Sequence, residues 1–170
     1  MFERVLRAVR LDPSLYREVA VDERLQGEAA LIVLAATLLS AIGTGIGSRH
    51  WVLGFGAEMI NGFLIGWLLW AVIANLVGDF LGGRSQLGEM VRALGYANAP
   101  RFIGIFGFLP CVGPIFRLAA WLLTIAAGVI AIRETMEFDT FKALVTAVIG
   151  LAVYIIFNML IGLFYGGLLG

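Results

Sequence analysis

The feature that most constrains the fold is an apolar stretch, residues 95–117, which proline interrupts at Pro100, Pro110 and Pro114. Proline lacks a backbone donor and its ring clashes with the preceding helical turn, so this stretch cannot form one smooth helix. Lipid offers no hydrogen bonds, so carbonyl groups freed at membrane depth must find partners inside the protein. We therefore expect a broken element that neighbouring helices surround.

Composition assigns the chain to the integral membrane proteins. Of its 170 residues, 61% are hydrophobic and 14% are charged, whereas soluble domains have about 45–50% apolar and about 25% charged residues. The formal net charge is zero and no basic motif with interleaved aromatic residues is present, so we expect no nucleic-acid partner. A single cysteine, Cys111, and a single histidine, His50, argue against a disulfide within the chain and against a metal site. We expect no cofactor.

Apolar runs of helical length predict an all-α fold, a single bundle of five transmembrane helices formed by residues 27–170. A bilayer crossing needs about 20 residues. The predicted spans are residues 28–47, 55–81, 91–109, 114–132 and 141–167, of which the third is the proline-broken one.

Residues 1–26 are expected to form an amphipathic N-terminal arm. Phe2, Val5, Leu6 and Val9 recur at helical spacing, with arginines between them. This pattern is typical of a helix that lies at an anionic membrane surface. An ordinary surface helix packed on its own bundle would show the same pattern.

Three short polar segments predict helix ends. Asp12 can cap a helix that starts at Pro13, and Ser85 can cap a helix that has Glu89 in its first turn. The acidic residues after the fourth span, Glu134, Glu137 and Asp139, are expected to form a solvated turn.

The distribution of positive charge predicts the orientation. With five crossings and a cytoplasmic N-terminus, Arg49 and Arg117 fall outside and the other lysine and arginine residues fall inside, a split of 10 to 2. A re-entrant third element would give 9 to 3 and reverse the last span. We predict five spans with the C-terminus outside, in the plasma or inner membrane if the chain is bacterial.

The segment Gly95-Tyr-Ala-Asn-Ala-Pro-Arg101, followed by the apolar run to Arg117 and a long apolar helix, resembles the Yip family of membrane proteins. These are the Ypt/Rab-interacting proteins of eukaryotes and their bacterial relatives. The Gly-Tyr element before the proline is similar to the family pattern Tyr-Gly-Tyr-Ser-x-x-x-Pro, although Leu94 replaces its first tyrosine. The resemblance covers about residues 25–167.

The resemblance implies a five-span membrane domain and, for the eukaryotic relatives, binding of prenylated small GTPases in vesicle traffic. Only about 26 residues precede the first predicted span, whereas those relatives carry a long polar arm. This difference favours a bacterial-type member.

The first candidate site is a group of polar residues in the second span. At 100° per residue, Asn61 and Asp79 lie within about 60° of Glu58, and Trp67 points the opposite way, towards lipid. An ionisable group at membrane depth is costly and therefore a functional candidate. Glu58 either pairs with an arginine such as Arg117, lines an ion or proton path, or lies at the level of the headgroups.

The second candidate site contains the motif residues Tyr96, Asn98, Pro100 and Arg101. Together with Arg92, they could hold an anionic lipid headgroup. Alternatively, Arg101 hydrogen-bonds the carbonyl groups that Pro100 frees, and Tyr96 is an interfacial anchor.

The fifth span has a row of residues spaced four apart, Gly150, Tyr154, Asn158, Gly162 and Gly166. Such a row forms a groove that another helix can enter closely. The groove receives either another span of this chain or a second copy in a homo-oligomer.

No catalytic set is found in the sequence, so we expect a non-enzymatic scaffold or adaptor. Its expected partners are membrane lipids and a protein that contacts the cytoplasmic face, formed by residues 1–26, 82–101 and 133–142. The alternative function is a small oligomeric channel or transporter component that uses Glu58 and the broken third span.

Overall fold

The computed structural model describes residues 1–45, 55–56, 59–108 and 112–169, and Glu58, His50, Pro110 and Cys111 lie outside these ranges. Within them every regular element is a helix, so the all-α prediction is confirmed. The helices are α1 (Phe2–Val9), α2 (Pro13–Val21), α3 (Gln26–Gly45), α4 (Asn61–Phe80), α5 (Leu87–Tyr96), α6 (Gly113–Met136) and α7 (Thr140–Leu169).

Among the described residues, three helices are long and apolar enough to cross a membrane: α4, α6 and the Thr140–Phe157 part of α7. Each buries 28% or less of its most apolar window, so most of its apolar surface faces outwards. Surface of this kind is suited to lipid. The count of five spans stays a prediction.

The third predicted span consists of two different helical segments. Helix α5 ends at Tyr96, and a 3-10 helix then runs from Ala99 to Phe108 through Pro100. Helix α6 begins at Gly113 with Pro114 in its first turn, where a missing N–H costs nothing. A proline break within one span stays a prediction.

The expectation that Trp67 points towards lipid is wrong. Its side chain is 2% exposed, and its indole Nε1 donates a hydrogen bond to the Val91 carbonyl oxygen at 2.8 Å. The first part of α4, Asn61–Leu69, is a π-helix. Its i to i+5 hydrogen bonds advance each residue by less than the 100° of an α-helix, so an α-helical wheel assigns the wrong face.

The core lies where α2 packs on α5 and the end of α6 and where α5 packs on α3, and side chains of α1, α4 and α7 also contribute to it. Leu15, Tyr16 and Val19 of α2 are fully buried, and so is Ala8 of α1. The N-terminal arm therefore packs into the same core as the bundle. The domain boundary between residues 26 and 27 stays a prediction.

The Trp70 side chain of α4 is wedged between two glycines, Gly128 of α6 and Gly150 of α7. A Cβ atom at either glycine would lie under 3.0 Å from the indole ring. Glycine is needed at both positions because a larger side chain would push the three helices apart. Gly162, further along α7, has no described atom within 4 Å of an added Cβ and so lies outside this contact.

This contact predicts a contrast between two glycines of one helix. Gly150→Ala should lower the thermal unfolding midpoint in detergent, because overpacking costs about 1–3 kcal/mol. Gly162→Ala should leave the midpoint unchanged or raise it, since alanine is favoured over glycine in a helix by up to about 1 kcal/mol. Replacing Trp70 by Phe should partly restore Gly150→Ala. Equal effects of the two glycine substitutions would contradict the wedge.

Candidate functional site

Three segments that the sequence analysis assigned to one face pack together in the structure. Helix α2 lies against both α5 and the end of α6. We call residues 1–26, 82–101 and 133–142 the N-terminal layer. Two charged side chains of this layer are buried and join its parts: Arg92 of α5 and Glu134 of α6.

Arg92 caps the C-terminal end of α2. Its side chain is buried, and its Nε donates to the carbonyl oxygens of Val19, at 3.2 Å, and Ala20, at 3.0 Å, while Nη2 also donates to Ala20. The last carbonyls of a helix lack partners within the helix, and a cation there also offsets the negative end of the helix dipole. Arg92 is therefore committed to α2 and does not join Asn98 and Arg101.

Glu134 accepts hydrogen bonds from two arginines. Arg17 Nη2 of α2 donates to its Oε2 at 2.5 Å, and Arg133 donates to its Oε1 from Nε at 3.0 Å and from Nη2 at 2.7 Å. A carboxylate this deeply buried, 8% exposed, needs such partners to offset its lost hydration. The pair Arg17–Glu134 thus fixes α2 to α6.

The prediction that Glu134 belongs to a solvated turn is therefore wrong, although Glu137 and Asp139 are exposed. Helix α6 continues to Met136, so Glu134 still lies on a regular helical face. It follows Ala127 by seven residues and Ala131 by three, and both alanines are fully buried. This helical spacing is the sequence signal that could have identified Glu134.

Charged side chains also connect α1 to α2 and α3. Arg7 donates to Asp12 Oδ2 and to Glu18 Oε2, both at 2.8 Å. Arg4 Nη1 donates to Glu28 Oε2 at 3.0 Å. Glu28 lies in the first turn of α3, where a negative charge is favoured by the helix dipole.

The predicted cap at Asp12 is confirmed. Its Oδ1 accepts from the Ser14 backbone N at 3.0 Å, and Pro13 is the first residue of α2. Hydrogen bonds from Ser14 and Arg7 to the carboxylate lower the pKa of Asp12 to about 2. The predicted cap at Ser85 is wrong: α5 is preceded by Gln86, whose backbone N donates to Glu89.

The motif residues of the second candidate site lie where α5 ends. Asn98 is buried; its Nδ2 donates to the Leu94 carbonyl at 2.9 Å, and its Oδ1 accepts from Arg101 Nη1 at 3.3 Å. The described hydrogen bond of the Arg101 side chain is therefore to Asn98, not to a carbonyl that Pro100 frees. Tyr96 is fully buried, so its ring packs in the core instead of anchoring at a membrane surface.

The structure does not bring the residues of the first candidate site together. Asn61 and Asp79 lie at opposite ends of α4, and Glu58 is outside the described residues. Asp79 is exposed and accepts from Asn75 Nδ2 at 3.3 Å. Arg117 is exposed near the start of α6.

The row of residues in α7 has two parts. Gly150 contacts Trp70 of the same chain, and Tyr154 is half-buried, whereas Gly162 faces open space. Asn158 and Gly166 lie outside the side chains that the structure describes. In the described part of the chain, no three His, Cys, Asp or Glu side chains are grouped so that they could hold a metal ion.

Removing the charge of Glu134 should loosen the layer. Glu134→Gln should lower the free energy of unfolding by about 1–3 kcal/mol, because the buried carboxylate that accepts charge-assisted hydrogen bonds from Arg17 and Arg133 is replaced by a neutral amide. Glu137→Gln, an exposed change at the end of the same helix, should stay within about 0.5 kcal/mol. Chemical denaturation in detergent measures the free energy of unfolding of both variants. Equal losses for the two variants would show that the Arg17–Glu134 ion pair does not hold α2.

The lowered pKa of Asp12 predicts a pH dependence. A carboxyl group whose pKa is lower in the folded state stabilises that state above its ordinary pKa of about 4, and this contribution is lost as the pH falls towards 2. The difference in unfolding midpoint between wild type and Asp12→Asn should therefore shrink from pH 6 to pH 2.5. The comparison with Glu3→Gln, an exposed group without an ion pair among the described residues, should not change. A constant Asp12 difference would contradict the prediction.

Comparison with protein families identifies the chain. Residues 9–164 match the family model described as the Yip1 domain. The comparison with curated proteins and the comparison with solved structures each find no match. The match extends from α1 into α7 and includes the Gly95–Arg101 segment from which the resemblance was inferred. The chain therefore belongs to the Yip1 domain family and is an integral membrane protein.

Proposed function

We propose that this protein is a non-enzymatic membrane scaffold or adaptor whose N-terminal layer is the docking face for a protein partner. The observation that supports this function best is that contacts within the chain itself hold the layer together. Arg92 and Glu134 hold α2 in place from two sides. A surface that needs no ordering on binding loses less conformational entropy in the complex.

The outer face of α2 has the chemistry of a protein contact. Val21 is 70% exposed, and Arg17, Glu18 and Arg24 around it in sequence carry both signs of charge. An apolar centre within a charged rim is the usual anatomy of a protein–protein interface. Mixed charges give specificity and guide the encounter of the two partners.

In this proposal the N-terminal layer lies at the cytoplasmic side of a five-span bundle. The spans are α3, α4, the element that contains the 3-10 helix, α6 and α7. The 10 to 2 distribution of lysine and arginine supports this orientation. The C-terminus would then be outside, and in a bacterial cell the membrane would be the inner one.

The alternative, a channel or transporter component, has less support. A conduction path needs polar groups that follow one another across the membrane. Asn61 and Asp79 are separated by the length of α4, and the side chains between them in Phe63–Val77 include one polar amide, Asn75. The described cavities are grooves with apolar linings.

Site-specific photo-crosslinking in intact membranes tests the adaptor function. A photoreactive residue at Val21 should give a discrete adduct with one partner protein, and Arg24→Glu should abolish the adduct without lowering the unfolding midpoint. The matched control is Met159, an equally exposed apolar residue on α7, which should give lipid adducts only. The proposal fails if Val21 gives no discrete adduct, or if Met159 gives the same one.

A further inference from the structure

A groove of about 620 Å³ lies between α1 and the 3-10 helix (Ala99–Phe108). Its volume is within the range of small-molecule sites, roughly 300–1,000 Å³. Every side chain that lines it is apolar: Met1, Phe2, Val5, Leu6 and Val9 on α1, and Phe102, Ile103 and Phe106 on the 3-10 helix. An occupant must therefore be apolar where it lies in the groove.

The apolar face of α1 is wider than its contact with the bundle. Ala8 is buried and Val5 is partly buried, but Phe2 is 76% exposed and Leu6 is 40% exposed. On the other side of the groove, Phe106 is 48% exposed. These side chains leave apolar area uncovered on both walls, and covering it is favourable.

The groove adjoins α6, a helix long and apolar enough to cross a membrane. The Phe106 ring lies 5.4 Å from the Phe116 ring of α6, and Ile115 and Leu118 on either side of Phe116 are exposed apolar side chains. An apolar chain could thus enter the groove from the bilayer without crossing water. This favours a lipid chain over a soluble peptide as the occupant.

Two arginines adjoin the groove in the sequence. Arg10 follows Val9, and Arg101 precedes Phe102. In the described part of the chain neither has a carboxylate partner, and the hydrogen bond of the Arg101 side chain is to the neutral Asn98. Guanidinium groups recognise phosphate through charge-assisted hydrogen bonds.

The other arginines of α1 differ in this respect. Arg4 is paired with Glu28, and Arg7 is paired with Asp12 and Glu18. The acidic groups of the N-terminal layer thus neutralise Arg4 and Arg7, and leave Arg10 and Arg101, next in sequence to Val9 and Phe102 of the groove, without a carboxylate partner in the described part of the chain. This charge distribution is complementary to an anionic headgroup above an apolar chain.

We propose that the groove holds one acyl chain of an anionic phospholipid, with the phosphate of its headgroup between Arg10 and Arg101. Bound there, the lipid completes the apolar contact between α1 and the 3-10 helix. The site is separate from the outer face of α2 that is proposed to bind a protein.

Native mass spectrometry of the full chain in non-ionic detergent tests this proposal. Palmitoyl-oleoyl phosphatidylglycerol should bind at one molecule per chain, and more tightly than phosphatidylcholine with the same chains. Arg10→Gln and Arg101→Gln should each weaken phosphatidylglycerol binding by about tenfold, the loss expected for one charge-assisted contact. Arg84→Gln removes an exposed arginine from the connection between α4 and α5, which contributes no residue to the groove, and is the matched control, which should bind as wild type.

The acyl chain is tested separately. Leu6→Asn should weaken binding of both lipids, and its unfolding midpoint without lipid shows whether the variant is folded. Glycerol 3-phosphate, which has the headgroup phosphate without a chain, should not compete. In vesicles that contain a phosphatidylglycerol with a photoreactive acyl chain, wild type should be labelled within residues 1–10 and 102–106.

Several results would overturn the proposal. These are equal affinity for the two lipids, equal weakening by Arg84→Gln, competition by glycerol 3-phosphate, and labelling confined to α4, α6 and α7. Loss of the photo-crosslink at Val21 bears on the protein partner and leaves the lipid site standing, so the two proposals fail independently.

Discussion

The packing of α2 depends on the buried Arg92 side chain, which hydrogen-bonds the C-terminal end of this helix. Helix α2 has nine residues, too few to be stable alone. Arg92 donates hydrogen bonds to carbonyl groups at the C-terminal end of α2, which lack partners within the helix. Glu134 accepts a hydrogen bond from Arg17, a residue of α2. Leu15, Tyr16 and Val19 are fully buried alongside these two polar contacts, so the N-terminal arm packs as part of the bundle.

How far the sequence predicts this structure depends on the range of the interaction. The helical class, the cap at Asp12 and three helices long and apolar enough to cross a membrane, α4, α6 and α7, follow from local patterns and were predicted. The family resemblance rested on residues 95–101 with the apolar run to Arg117 and the long apolar helix after it, and the match of residues 9–164 to the family model confirms it. Local patterns left open whether the arm lies at a membrane surface or packs on the bundle, because its packing depends on partners more than sixty residues away, such as Arg92 and Glu134.

Two errors have separate physical causes. Trp67 was assigned to lipid because the sequence does not reveal that residues 61–69 form a π-helix. Each π-helical residue advances by less than 100°, so the residues that follow point in directions that an α-helical wheel does not give. Glu134 was assigned to solvent because charged residues before a turn are usually exposed. Its two arginine partners come from α2 and from the adjacent residue, and only the first requires knowledge of the fold.

The π-helix of α4 also changes how this helix can respond to mutation. Residues 61–69 contain the equivalent of extra chain that the helix accommodates without a break. Deleting one residue there would return part of the segment to an ordinary α-helix, because a π-helical turn holds about one residue more than an α-helical turn. The residues before the deletion would keep roughly their angle relative to Trp70, whereas the same deletion in an α-helix would rotate them by about 100°. The contact of Gly62 with Thr37 and the wedge of Trp70 between Gly128 and Gly150 would therefore stay in phase with each other. The π-helix allows α4 to lose one residue while its two halves keep their different neighbours.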